Sequence, residues 1–431
     1  MAIGTCFYVD PASEDQIRST AIKWIHAAQS WLSAPIQKGR LSIDGLQVHC
    51  LLLLARQTNF VGPDLVWISI GTLLRIAIHM GLHRDPTKYP AMSPFLTEVR
   101  RRLWATVLEL AVQTSLDGGM PPLISFEDFD TLAPSNIADE DISETTEALP
   151  TSKPETSFTC TSLQIGLLKS LRGRLEVARL INHFRSNPTY EDVLRLSSEI
   201  FDAIRESGLR IRTHLSSAQG KKPTVFQCNL IEHLLRRFLL ALHRPFAIKA
   251  RKDPGFYFSR KVCLDQALTI SSPQADDDFS RLIAIGGGIF REVMTHGALA
   301  LCLELTTQLQ EDDRNMNLQG NRVQRELIHE AIKRVITLSK ERLRLGDTNV
   351  KGLLFLSMAM GQIESIEAGT SPEEGILSAA KQSAIEGYED SNLDLLAGSA
   401  DFDTNFGDAA SWLFPAFEEI PWTSSQWNSS Q

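Results

Sequence analysis

The chain has 431 residues, of which 43% are hydrophobic and 22% charged, with 26 Gly and 19 Pro. This is ordinary globular usage, so a large core is expected, and collagen-like, mucin-like and wholly disordered classes are excluded, although short disordered stretches are not. The formal net charge of −9 belongs to the end of the chain: nine of the 52 carboxylates follow Lys381, the last basic residue, and the other 43 balance the 43 Lys+Arg.

A neutral body with an acidic tail speaks against autonomous binding of nucleic acid, whose phosphates require clustered Lys and Arg. At the start of the chain, Asp10, Glu14 and Asp15 stand where a secretory signal needs a basic start and an apolar run. Residues 1–45 read as a helical lead-in. The cysteines, at 6, 50, 160, 228, 263 and 302, are never closer than 35 residues and include no Cys-x-x-Cys. That spacing suits reduced thiols of an intracellular protein and offers no zinc-ligand set.

From Leu46 onward the apolar residues recur every three or four positions: Leu46, Cys50, Leu53 and Leu54, then Ile70, Leu73, Leu74, Ala77 and Ile78. This is helix periodicity. Gly62-Pro63 suits a short connection between the two runs, and Gly81 followed by Pro86 marks the end of the second. There Gly81 is expected to be left-handed, with His83 and Arg84 facing the negative end of the helix dipole. The stretch Val66–Leu82 is interrupted by Arg75 and His79, which disfavours a membrane span.

The periodicity continues at Leu96–Leu116, Leu163–Phe184, Glu191–Leu215, Phe226–Leu242, Arg260–Ile270, Ala284–Leu309, Val323–Leu345 and Val350–Glu367. No stretch alternates with period two. The expected fold is all-α, a multi-helix body over 46–370 with ten or more helices, followed by an acidic, aromatic tail over 371–431. Ala133–Cys160, with Pro134, Pro150, Pro154 and six acidic residues, reads as a long exposed flexible loop at which the body divides into two subassemblies.

Several blocks then stand in a definite order: "LLLLARQ" at 51–57, "GTLLRIAIHMGLHRDP" at 71–86, "EVRRRLW" at 98–104, "SLDGGMPPLISFEDFD" at 115–130 and "APSN" at 133–136. "LLRRFLLALHRPFA" at 234–247, in which a helix ends on Leu-His-Arg-Pro, and "SRKVCLDQA" at 259–267 follow. In order and spacing this resembles the fungal-specific regulatory region, or middle homology region, of zinc binuclear cluster transcription factors. Two positions depart from that pattern: Ala105 stands where many relatives have a second Trp, and Met120 where many have Arg.

The resemblance implies a nuclear transcriptional regulator, represented by its regulatory or effector-response module, with the transcription machinery or another regulator as partner. It also implies a domain that holds a small-molecule effector or masks an activation segment, and it leaves a homodimer open. Relatives carry an N-terminal cluster of six cysteines holding two zinc ions. This chain shows none, so zinc is expected only in that missing cluster, no cofactor is expected in the chain itself, and DNA is reached through a missing domain or a partner. A stand-alone interaction cofactor or repressor is the alternative, and an all-α enzyme is the weaker rival.

Each block also has a structural reading. Arg100, Arg101 and Arg102 beside Glu98 are expected to be solvated or salt-bridged instead of forming a nucleic-acid patch. Trp67 and Trp104 are expected as core anchors. His79 and His83 have the spacing of a metal pair but no evident third ligand. Among enzyme signatures, Asp276–Asp278 lacks a further carboxylate at Ser280, Gly286–Gly288 lacks the Lys of a phosphate loop, and Lys333 stands where His329-Glu330 would need a second His. No catalytic residue is assigned.

The candidate functional residues lie in the tail. Phe402, Phe406, Trp412, Leu413, Phe414, Phe417, Ile420 and Trp422 are interspersed with five carboxylates and no positive charge. Acidic neighbours keep such aromatics solvated until they enter a partner's groove as a short amphipathic helix, which is the pattern of an activation segment. The alternative is that they dock on the body as a C-terminal clamp.

Overall fold

The computed structural model describes residues 14–33, 41–62, 65–90, 92–183, 188–217, 220–312, 322–345, 347 and 350–390. Among them are thirteen α-helices and no strand: α1 Glu14–Ser33, α2 Ile43–Thr58, α3 Val66–His79, α4 Pro94–Asp117, α5 Ser162–Ile181, α6 Tyr190–Ser216, α7 Val225–Lys249, α8 Tyr257–Ile270, α9 Asp277–Ile285, α10 Glu292–Asp312, α11 Arg322–Arg344, α12 Val350–Ala368 and α13 Pro372–Asp390. The all-α expectation holds. Two compact units are present, one formed by 1–243 with 273–293 and the other by 244–272 with 294–431. The division therefore does not fall at 133–160, which lies wholly inside the first unit.

Helix starts follow local chemistry. Ser42, Ser93, Thr189 and Asp276 each place a side-chain oxygen on a backbone N–H of the first turn, satisfying a donor that the helix itself cannot. Pro94 occupies the first turn of α4, where its missing N–H has no helical partner to lose.

In the first unit, α2 packs on α1 and α3, α4 on α3 and α5, and α5 on α6. The core collects fully buried Leu53, Leu73, Trp104, Leu108, Leu171 and Phe238. Trp104 is the anchor its sequence context suggests, whereas Trp67 is only half-buried. A polar seam along α4 crosses this core. Glu109 receives both amino groups of fully buried Arg174 at 2.7 and 2.8 Å, and Gln113 bonds the carbonyl of Leu234 at 3.0 Å. Asp117 pairs with Arg237. The i, i+4, i+8 spacing puts these three on one face of α4, and the pairing is what permits two guanidinium groups to be buried there.

Two expected helices have different limits. The Leu-His-Arg-Pro element does not end α7, which runs through Pro245 to Lys249. Proline loses the N–H bond to the carbonyl four residues back and crowds that carbonyl with its ring, yet α7 continues through it for about one more turn. The expected helix over 284–309 is instead two, α9 and α10, separated by Gly286–Gly288. Gly288 has φ +54°, a conformation that a side chain disfavours, and a Cβ on Gly286 would lie 2.7 Å from the carbonyl of Leu282.

In the second unit, Leu301, Cys302 and Leu305 of α10, Ile328 and Ile332 of α11 and Leu356 and Ile363 of α12 are buried. Arg260 of α8 is clasped by Glu304 at 2.7 Å and Glu311 at 2.5 Å. Pro372–Asp390, which composition assigns to the tail, is helix α13. It packs on α12 so closely that a Cβ on Gly361 would stand 2.6 Å from the carbonyl of Gly375.

Candidate functional site

Four of the recognisable blocks, at 71–86, 98–104, 115–130 and 133–136, meet in the first unit as one polar junction. At the end of α3, Gly81 has φ +75°, and the N–H of Leu82 returns to the carbonyl of Ala77 at 3.0 Å, the closure a left-handed glycine allows. Asp85 follows, almost wholly buried, and accepts from Arg101 of α4 at both oxygens, at 2.9 and 3.0 Å. It also accepts the Thr87 amide at 3.1 Å, the Thr87 hydroxyl at 2.8 Å and the Leu132 amide at 3.0 Å. Burial pushes the Asp85 carboxyl up, but Arg101 and these amides outweigh it and hold the group well below the usual carboxylate range.

The neighbouring arginines are equally committed. Arg100 donates to the carbonyl of Met80 at 2.9 Å, so it, and not His83 or Arg84, serves the exposed end of α3. Arg84 instead bonds Asp130 at 3.1 Å. Arg102 bonds Glu98 at 2.9 Å and Asp139 at 2.5 Å. Arg100 and Arg101 are buried. The three basic side chains thus tie the blocks together, and phosphate contacts would have to break those bonds. His79 is exposed and His83 half-buried; no group of three metal-ligating side chains occurs among the described residues.

The segment read as a flexible loop is fastened at both ends. The side-chain amide of Asn136 donates to the carbonyls of Pro154 at 3.1 Å and Ser157 at 3.0 Å, while its oxygen accepts from Thr159 at 2.6 Å and Ser162 at 3.0 Å. Ile137 beside it is fully buried. The segment is long and largely exposed, as expected, and what composition could not register is the single asparagine that ties its two ends together.

The enzyme-like elements also have structural duties. Asp276 caps α9, accepting the Phe279 amide at 2.8 Å, with Asp277 and Asp278 in the favourable first turn. His329 bonds Glu367 at 3.0 Å. Gly287 donates its N–H to the carbonyl of Gln57 at 2.8 Å, so this glycine run joins two elements of the first unit.

A cleft of about 310 Å³ opens beside the junction, within the first unit. Leu175 and Leu196 are buried residues lining it, while Phe126 is 41% exposed. Arg172, Arg179 and Arg195 also line it, with Glu176 between them. Phe126 and the junction belong to one short strap: the ring of Phe129 meets Phe126 edge-on at 5.4 Å and Trp104 at 5.7 Å, and Asp130 accepts the backbone N–H of Asp85 at 2.8 Å. The block at 115–130 contains Phe126 and Glu127, but no sequence signal brings them to the residues of the two separate helices that complete the cleft. The tail residues Phe402, Phe406, Trp412, Leu413, Phe414, Phe417, Ile420 and Trp422 lie outside the described residues.

Residues 1–207 match the fungal specific transcription factor domain. The chain is 39% identical over 422 residues to the transcription factor opdR of Penicillium oxalicum, covering 90% of this chain and 52% of that protein. It is 37% identical over 387 residues to the transcription factor asR3 of Sarocladium schorii, covering 83% and 45%. Over 210 residues it is 32% identical to pigI of Monascus ruber, a Zn(2)-C6 fungal-type transcription factor, covering 48% and 26%. The chain spans about half the length, or less, of these curated relatives. No solved structure matches it.

Proposed function

We propose, for a chain whose residues 1–207 match the fungal specific transcription factor domain, that it is the regulatory module of a transcriptional regulator and acts in the nucleus through protein contacts, without catalysis. The observation that carries this reading is similarity to the transcription factor opdR across 90% of the chain. The committed arginines of the junction support it, because they serve the fold and leave DNA to be reached through another segment or a partner. The domain organisation proposed is a lead-in over 1–45 and a regulatory body from 46 that, because α13 packs on α12, extends past 370 to include α13, with the tail following it.

In this reading the tail from Asp401 onward is the segment that meets the transcription machinery, its aromatics entering a groove while the carboxylates hold them in solution. The body carries the effector response: an occupant of the cleft beside Phe126 would bear on the strap that runs to Asp130 and Asp85. Fusing residues 395–431 to an unrelated DNA-binding domain tests the tail. Reporter activation that disappears when Trp412, Phe414 and Phe417 become Ala supports the assignment. An inactive fusion, together with a destabilised body when the tail is deleted, makes the tail a clamp instead.

A further inference from the structure

The cleft combines three properties that the fold does not require to coincide. Two of its lining residues, Leu175 and Leu196, are buried leucines, and Phe126, a large aromatic that 3₁₀ geometry at 126–128 leaves 41% exposed, lines it too. Its volume, about 310 Å³, is at the small end of the range for small-molecule sites. Its lining carries three guanidinium groups against the carboxylates of Glu127 and Glu176, with His183 beside them.

The arginines are not equally occupied. Arg172 lies 3.4 Å from Glu176 and stacks its guanidinium 5.6 Å from the Phe126 ring centre. Arg195 divides itself between Glu199 at 2.8 Å and Glu176 at 3.4 Å. Arg179, exposed in the last turn of α5, makes no hydrogen bond and no ion pair among the described residues; its field only helps to lower the Asp128 carboxyl, chiefly held down by the Ser125 backbone and hydroxyl. A guanidinium with its planar fork unused, in a cleft with an aromatic wall, matches a carboxylate bidentately and an apolar body at once.

We infer that this cleft binds a small amphipathic carboxylate, whose acid group pairs with Arg179 and whose flat apolar body lies against Phe126 and the leucines. The assignment rests on the regulatory reading for its purpose, an effector site, but not for its chemistry. A neutral analogue of the same shape lacks the charge-assisted pair, and a small acid without an apolar body lacks the wall contact. Specificity therefore needs both halves.

Calorimetric titration of the purified full chain with naphthoate, naphthamide and acetate decides. Saturable one-to-one binding of naphthoate is expected, with naphthamide and acetate each weaker by roughly tenfold or more. Arg179→Gln should bring naphthoate down to the naphthamide level while the melting temperature is unchanged, and Phe126→Ala should weaken both aromatic probes together. Arg205→Gln, an exposed arginine outside the cleft, should leave all three unaltered. Equal binding of acid and amide, an unaffected Arg179→Gln chain, or no saturable naphthoate binding up to millimolar concentration would each overturn the assignment. Because no reporter output enters this measurement, such a failure removes the cleft ligand and leaves the transcriptional reading to its own test.

Discussion

Asp85→Ala is the substitution with the most to reveal, since it removes an acceptor used by the Arg101 side chain, two backbone amides and a hydroxyl. Arg101 is buried, so the variant leaves a guanidinium with neither water nor carboxylate. Breaking a buried pair from one side costs about 3–5 kcal/mol. At about 2–4 °C per kcal/mol for a domain of 150–250 residues, this lowers the melting temperature by roughly 6–20 °C. Adding Arg101→Met to Asp85→Ala removes the stranded charge and should recover about 2 kcal/mol. The pH dependence has a definite sign. Because the Asp85 carboxyl is held below its usual value in the fold, its stabilisation is complete above about pH 4–5 and is lost as pH falls through the lowered folded value. The gap in melting temperature between wild type and Asp85→Asn should thus be full at neutral pH and shrink toward about pH 2. Thermal melts across pH test both points. A cost below about 1 kcal/mol for Asp85→Ala, or no recovery with Arg101→Met, would show that the junction is solvated and that the reasoning is wrong.

Three further outcomes follow from the same geometry. Burial lowers His233 and His243 to about 4, so each stays neutral in the fold while the unfolded chain takes up a proton near pH 6.5. Stability should then fall as pH drops from about 6.5 toward 4, by up to about 1.4 kcal/mol per pH unit for each histidine, and His243→Asn should flatten the slope of the melts. Gly361→Ala should cost about 1–3 kcal/mol by forcing α12 away from α13; hydrogen exchange would show faster exchange confined to those two helices, and unchanged protection there would refute the close approach. The purified chain should show no sequence-dependent binding to duplex DNA in fluorescence anisotropy at physiological salt, and a sub-micromolar, sequence-selective isotherm would contradict the reading of the Arg100–Arg102 cluster.

Helix class and most helix positions are legible in the sequence because burial on one face imposes a spacing of three to four residues, as at Ile70, Leu73, Leu74 and Ala77, all of them buried. The end of α3 is legible too, since Gly81 and Pro86 have few alternatives. What escapes is whatever depends on a partner far along the chain. Asp85 and Arg101 are 16 residues apart and Glu109 and Arg174 are 65 apart, and nothing at either position announces the other. Pro245 and Gly286–Gly288 escape for different reasons: α7 carries Pro245 against its local propensity, whereas the apolar spacing around 286–288 suggests one helix and the glycines' own low helix propensity, with Gly288 left-handed, divides it. The cleft is the extreme case, assembled from a turn, α5 and α6, each of which reads alone as an ordinary amphipathic or polar segment.

The most direct test of the central claim is the transcriptional output of the whole chain. Residues 1–431, joined to an unrelated DNA-binding domain and brought to a reporter of moderate basal activity, should change its transcription severalfold relative to that domain alone, and replacing Trp412, Phe414 and Phe417 by Ala should reverse the change. A stably expressed, nuclear fusion that leaves the reporter at the level of the DNA-binding domain alone would contradict the assignment of this chain as the regulatory module of a transcription factor.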